Sequence, residues 1–271
     1  MPADALKSAP LEGALSMPTF ENGPVTIHYE EAGAGFPLLV IPGGGLNATV
    51  AGLAGHAFNP LDALADRYRV IALDLRNAEG GGSEGPLEIE RTWDGFTDDQ
   101  LALMDHLGCP RFAVMGFCIG GPMIWNLLKR AGERVAAATL VHPSGYSSSH
   151  PTIFYDNNIA GWGPAFVKRR PDVTMEMVSE YLHNMYTERA DFVFTVDRDF
   201  VRDCRTPVLI LPDDIPAHPF ATAMETALLA PNAQVSLYPW KENARKIELA
   251  LNHIRGFLAT HAPAALKDAA D

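Results

Sequence analysis

Cysteine is scarce: Cys109, Cys118 and Cys204 are three in a chain of 271 residues. So sparse and odd a set is no disulfide framework, and the fold must rest on a packed core. Basic residues are short as well, 21 Lys and Arg against 33 Asp and Glu, for a net charge of −12. Nucleic acid and anionic membrane surfaces need basic patches, so neither is expected as a partner. No apolar run approaches the roughly 20 residues that a bilayer requires. The opening MPADALKSAPLEGALSMP lacks a basic start followed by an apolar stretch, so no secretory leader is expected and the chain reads as cytoplasmic. Dinucleotide and P-loop fingerprints, H-E-x-x-H, paired C-x-x-C and EF-hand patterns are missing too; neither a cofactor nor a metal is expected.

What is there is a rhythm of buried runs. Hydrophobic residues make up 47% of the chain, enough to build a core. GPVTIHYE (23–30) alternates like an antiparallel strand. FPLLVIPGGG (36–45), YRVIALDLR (68–76), RFAVMGFC (111–118), RVAAATLVHPSG (134–145), TPVLILPDD (206–214) and AQVSLYPW (233–240) do not alternate. Such runs suit parallel strands covered on both faces. Helical patterns lie between them: 97–108, opened by Thr97-x-x-Gln100 as a capping box, then 119–130, 220–230 and a last helix with Ile247, Ala250, Leu251, Ile254 and Leu258 on one stripe. The alternation predicts a doubly wound α/β sheet. Residues 146–205, rich in Trp, Tyr, Phe and Met, interrupt it. They are too long for a loop and are expected to form a mostly helical cap over the sheet edge. The expected division is a loose tail at 1–18, a core at 19–145 and 206–262, the cap at 146–205, and a second tail at 263–271.

Gly116-Phe117-Cys118-Ile119-Gly120-Gly121 falls where an apolar strand passes into a helix. It is a G-x-S-x-G pattern with cysteine at the centre; the glycines permit the sharp turn that lifts the central residue above the sheet. The helix N-terminus behind it favours a thiolate, so Cys118 is the candidate nucleophile. Cys109 and Cys204 have no such setting and are expected to be structural. The turn Pro42-Gly43-Gly44-Gly45-Leu46-Asn47 offers free N–H groups; Gly44 and Gly45, with Ile119, are the expected oxyanion hole.

These features resemble the α/β-hydrolase superfamily over roughly residues 20–260: PGGGLN, DLRNAEGGGS (74–83), the elbow GFCIGG and TPVLILPDD ahead of the acid position. Cysteine elbows resemble its dienelactone-hydrolase branch, and the large insertion its capped branch. The resemblance implies an α/β-hydrolase fold and acyl chemistry. It also implies a histidine after the last strand, where this chain has Tyr238-Pro239-Trp240-Lys241-Glu242-Asn243 instead. His253 falls on the polar side of the last helix; Lys241 could substitute electrostatically for the missing histidine, but reads first as a surface residue. His218, in Pro212-Asp213-Asp214-Ile215-Pro216-Ala217-His218-Pro219, is the expected base, oriented by Asp213 or Asp214; His142, ending TLVHPSG, is the runner-up. Leu46, Asn47, His142 and Trp162 are expected to contact the substrate, with Phe166, Tyr181, Met185 and Tyr186 as further lining or as a packing stripe.

The expected activity is hydrolysis of an ester, lactone or thioester, or of a C–C bond beside a carbonyl, through a Cys118 acyl-enzyme acting on a small acyl substrate. A receptor-like protein that keeps the fold without the chemistry, or an acyltransferase, is the alternative. The sequence leaves a homo-oligomer open.

Overall fold

The computed structural model describes residues 18–262, so the tails expected at 1–18 and 263–271 lie, Pro18 apart, outside the described residues. Eight strands form one sheet: β1 Thr19–Asn22, β2 Val25–Ala32, β3 Phe36–Ile41, β4 Tyr68–Leu73, β5 Phe112–Phe117, β6 Val135–Val141, β7 Val208–Leu211 and β8 Ala233–Val235. Their order is β1-β2-β4-β3-β5-β6-β7-β8. Only the β1–β2 and β2–β4 pairings are antiparallel; β4 through β8 run parallel. This is the expected α/β-hydrolase architecture.

The unbroken apolar runs are explained by two cores, one on each face. Leu39 and Ile41 face one core while Leu38 and Val40 face the other. Ile71 and Leu73 are separated from Val70 and Ala72 in the same way, and Val208 and Ile210 from Leu209 and Leu211. With a side-chain period of two, a strand buried on both sides needs an apolar residue at every position.

Nine helices flank the sheet among the described residues: α1 Pro60–Ala63, α2 Thr92–His106, α3 Gly120–Ala131, α4 Ile153–Ala160, α5 Trp162–Arg169, α6 Met175–Tyr186, α7 Arg198–Asp203, α8 Phe220–Leu229 and α9 Ala244–His261. The expected capping box is not one. Helix α2 begins a full turn earlier, because Trp93 and Phe96 are buried and draw that turn in. Thr97 Oγ1 is inside the helix, donating to the Trp93 carbonyl at 3.3 Å and accepting from Asn126 Nδ2 at 2.8 Å. The run at 233–240 gives only three strand residues before the chain turns away.

Helices α4–α7 occupy the stretch between β6 and β7. Bonds that tie it to the sheet side include Trp93 Nε1 to the Met185 carbonyl (3.1 Å), Thr195 Oγ1 to the Pro122 carbonyl (2.9 Å) and Asn184 Nδ2 to the Ile89 carbonyl (3.1 Å). Helix α4 rests against the Gly45–Asn47 turn after β3. The turns after β3, β5, β6 and β7 all open at the strands' C-terminal ends, the edge where ligands bind in open α/β sheets.

Candidate active site

Cys118 directly follows β5 with φ +52°, a left-handed backbone unusual for a residue with a Cβ. The turn is possible because Gly116 has no side chain: a Cβ there would lie 2.7 Å from the Gly120 carbonyl oxygen. The turn is pinned by Cys118 N–H to the Val141 carbonyl (3.1 Å) and by Gly121 and Ser144 N–H groups to the Cys118 carbonyl (2.9 Å each). Ser144 is buried, and its Oγ lies 3.3 Å from Cys118 Sγ.

The loop after β7 folds back on itself. Ile215 and His218 close a tight turn through His218 N–H to the Ile215 carbonyl (2.9 Å) and Ile215 N–H to the His218 carbonyl (3.3 Å). This returns the His218 ring over Asp213, with Nδ1 3.1 Å from Oδ2. Trp240 Nε1 donates to the Pro212 carbonyl at 2.9 Å and fixes the loop's start. Asp213 is buried and Asp214 is exposed, so of the two candidate carboxylates only Asp213 meets the ring. Lys241 is exposed, as expected, and also donates Nζ to Asp213 Oδ2 at 2.5 Å. His253, half-buried, is bound to β8 and its edge, with Ser236 Oγ at 3.2 Å and Gln234 Oε1 at 3.1 Å.

Three histidines meet here. The His142 ring is 4.8 Å from His218 and 5.6 Å from His56, and lies parallel to Trp240 at 5.9 Å. Burial, with the charges of His218, Lys241 and His56, pushes the His142 proton down to about 2. That ring is neutral, which removes it as a base near pH 7. Burial also lowers His56, with the Gly43 backbone opposing and the charges of His218 and Lys241 adding to the fall.

The nucleophile candidate and His218 shift each other. Burial pushes the Cys118 thiol up, but His218, then the Ser144 hydroxyl and the Gly44 backbone, outweigh it and bring the thiol down to about 7. Burial pulls His218 down, and Cys118 and Asp213 more than offset it, leaving the ring above its ordinary value. The buried His218 Nε2 has no other hydrogen-bond partner among the described residues, and it acts on the sulfur first as a hydrogen-bonding neighbour and then through charge. Cys109 and Cys204 move the other way, both raised by burial.

The remaining expected residues divide. Gly44 faces the sulfur through its backbone, and Gly45 has φ +60° at the start of the short turn. Ile119 is the N-cap of α3. Leu46 is buried in the core, and Asn47 Oδ1 accepts the Glu79 N–H at 2.9 Å, so both hold the turn's shape. Trp162 stacks on Phe166 at 4.7 Å and donates Nε1 to the Asn77 carbonyl at 3.2 Å, anchoring α5 to the sheet side. Tyr186, with a buried hydroxyl that has no partner among the described residues, packs with Trp93, Phe154 and Phe194. Two surface clefts, of about 740 Å³ between α4 and α6 and about 570 Å³ beside the acid loop, are not lined by Cys118.

Ser144 and His56 escaped the sequence reading. Ser144 hides inside an apolar strand run, although TLVHPSG leads straight to the site. His56 stands in a stretch with no periodicity and becomes relevant through its stacking on His142 at 5.6 Å and its tilted contact with Phe117 at 4.7 Å.

Residues 37–243 match the family model described as alpha/beta hydrolase fold. The 2-hydroxymuconate semialdehyde hydrolase of Pseudomonas sp. (strain CF600) is 30% identical over 146 residues, 54% of this chain and 49% of that protein. The 2-hydroxy-6-oxo-6-(2'-aminophenyl)hexa-2,4-dienoic acid hydrolase of Metapseudomonas resinovorans is 27% identical over 214 residues, 70% and 71% of the two chains. For the first two curated relatives, this chain spans about half their length, 44% and 49%. The enol-lactonase structure from Burkholderia xenovorans LB400 superposes with a TM-score of 0.63 at 20% identity, covering 89% of this chain and 100% of that one; this likeness speaks to fold.

Proposed function

The chain belongs to the alpha/beta hydrolase fold family, and on that premise we propose that it hydrolyses a small ester, lactone or thioester through a Cys118 acyl-enzyme. The observation that carries the proposal is the contrast among its thiols: Cys118 alone stands on a strand–turn–helix elbow and is lowered, to about 7, beside a His218–Asp213 pair.

In this mechanism the Cys118 thiolate attacks the carbonyl carbon, and the electron pair moves to oxygen. N–H groups of the Gly44–Gly45 turn and of Ile119 hold that oxyanion. His218, protonated in the resting pair, gives its proton to the departing alkoxide or thiolate, which leaves as the C–O or C–S bond breaks. Asp213 keeps the ring's Nδ1 in place and stabilises the imidazolium, as a carboxylate partner does in other triads. Neutral His218 then takes a proton from water, the hydroxide adds to the acyl-cysteine, and collapse releases the carboxylic acid and restores the thiolate. Ser144 donates to the sulfur when it is anionic. His142 stays neutral and, with His56 stacked on it, forms a wall beside the ring. The helices α4–α7 act as the cap.

Two relatives named above have oxo-compound names, a dienoic oxo acid and a semialdehyde. That favours cleavage of a C–C bond beside a carbonyl as the second substrate class for the same nucleophile. The test is a panel of esters, thioesters, lactones and β-dicarbonyl or vinylogous oxo acids, run on wild type and Cys118→Ala. Turnover present in wild type and lost in the variant is expected. Turnover kept in the variant refutes the mechanism, and binding without turnover in wild type supports the receptor-like alternative.

A further inference from the structure

The resemblance to the α/β-hydrolase superfamily implies a histidine in the last-strand loop; this loop has none and supplies Lys241, which competes for the site's acid. Lys241 Nζ and His218 Nδ1 both address Asp213 Oδ2, at 2.5 and 3.1 Å. A carboxylate oxygen already bound by an ammonium group is a weaker acceptor, and the ammonium's charge opposes a second cation nearby.

Among the described residues, titratable and charged groups reach His218 from every element packed against it. The elbow brings Cys118, the turn after β6 brings His142, the stretch after β3 brings His56, its own loop brings Asp213, and the last-strand loop brings Lys241. His142 is neutral, and burial holds His56 below its ordinary value. The Lys241 and Asp213 charges cancel, leaving the thiolate and imidazolium as an isolated pair. Without Lys241 the site would carry one uncompensated carboxylate directed at the ring.

We propose that Lys241 is a positioning residue that, by binding Asp213 Oδ2, limits how tightly His218 holds its proton, so that the ring is neutral when the acyl-cysteine awaits water. The inference rests on the Cys118–His218–Asp213 mechanism proposed above. It bears on the second half-reaction most, because an acylated sulfur no longer offers a negative charge and Asp213 becomes the ring's main support.

Single-turnover deacylation after a pulse of p-nitrophenyl acetate, followed from pH 5 to pH 9, tests it in wild type, Lys241→Met and Lys241→Arg. Lys241 is 40% exposed, so the isosteric Met leaves the core intact. In Lys241→Met the deacylation midpoint should rise by about one pH unit, slowing deacylation about tenfold below the midpoint while the high-pH plateau is retained. Lys241→Arg should restore the wild-type midpoint. A midpoint that does not move, with rates unchanged or reduced equally at every pH, overturns the role of Lys241. Failure of wild type to form an acetyl-Cys118 species counts against the thiol mechanism itself and takes the role of Lys241 with it.

Discussion

Removing the His218 ring tests what holds the Cys118 thiol ionised. In wild type the thiol is brought down to about 7 from an ordinary 9, with His218 first among the opposing influences to burial. In His218→Ala burial is left to act with only Ser144 and the Gly44 backbone against it, so the thiol should return to 9 or above. At pH 7 the thiolate fraction then falls from about one half to about one in a hundred, roughly fiftyfold. The more basic thiolate is intrinsically more nucleophilic, by roughly six- to tenfold over two units at a Brønsted slope of ~0.4–0.5. The net loss of alkylation rate at pH 7 is therefore about five- to eightfold, a modest number. The midpoint is the sharper readout, and it should rise by about two pH units. The assay is the rate of iodoacetamide labelling of Cys118, by peptide mass, from pH 5 to pH 10. Cys109 and Cys204, both raised by burial, serve as internal references. A wild-type midpoint near 9, or a variant midpoint that stays near 7, would refute the reasoning.

Asp213→Asn should lower turnover by about a hundredfold or more, since the ring loses its charged partner, whereas exposed Asp214→Asn should change it less than about twofold; steady-state rates on one substrate separate the two. His142 is held down at about 2, so its folded form refuses a proton that the unfolded chain accepts near 6.5. Its contribution to stability is present above about pH 6.5 and is lost as pH falls, by up to about 1.4 kcal/mol per unit; urea melts should show about half that loss from pH 7 to 6 and most of it from pH 6 to 5, and His142→Asn should reduce both. Buried Asp74 accepts Val50 N–H at 2.6 Å and Gly82 N–H at 2.7 Å and meets His28 Nδ1 at 2.7 Å, so Asp74→Ala should cost about 3–5 kcal/mol, seen as a lower urea midpoint at unchanged slope.

Much of this molecule was legible because its signals are local. Leu38 through Ile41 read as a strand covered on both faces, and each face proved to have its own core. The elbow was legible because Gly116 and Gly120 flank a residue that must turn sharply. His218 and Asp213 could be paired because they share one loop. What stayed hidden depends on distant contacts. Lys241 looks like any exposed lysine until the β8 edge brings it to Asp213, a contact across 28 residues. Ser144 meets Cys118 only through the pairing of β5 with β6. The start of α2 was misplaced because a plausible cap at Thr97 carried less weight than the burial of Trp93 and Phe96, a tertiary gain that local pattern does not report.

The most direct measurement is the mass of the protein quenched within one turnover of an activated ester. Wild type should carry one acyl group, hydroxylamine-labile and confined to the Cys118 peptide, and slowed deacylation in His218→Ala should let that species accumulate. Cys118→Ala should carry none. An acyl group on another residue, or turnover in Cys118→Ala at the wild-type rate, would contradict the account.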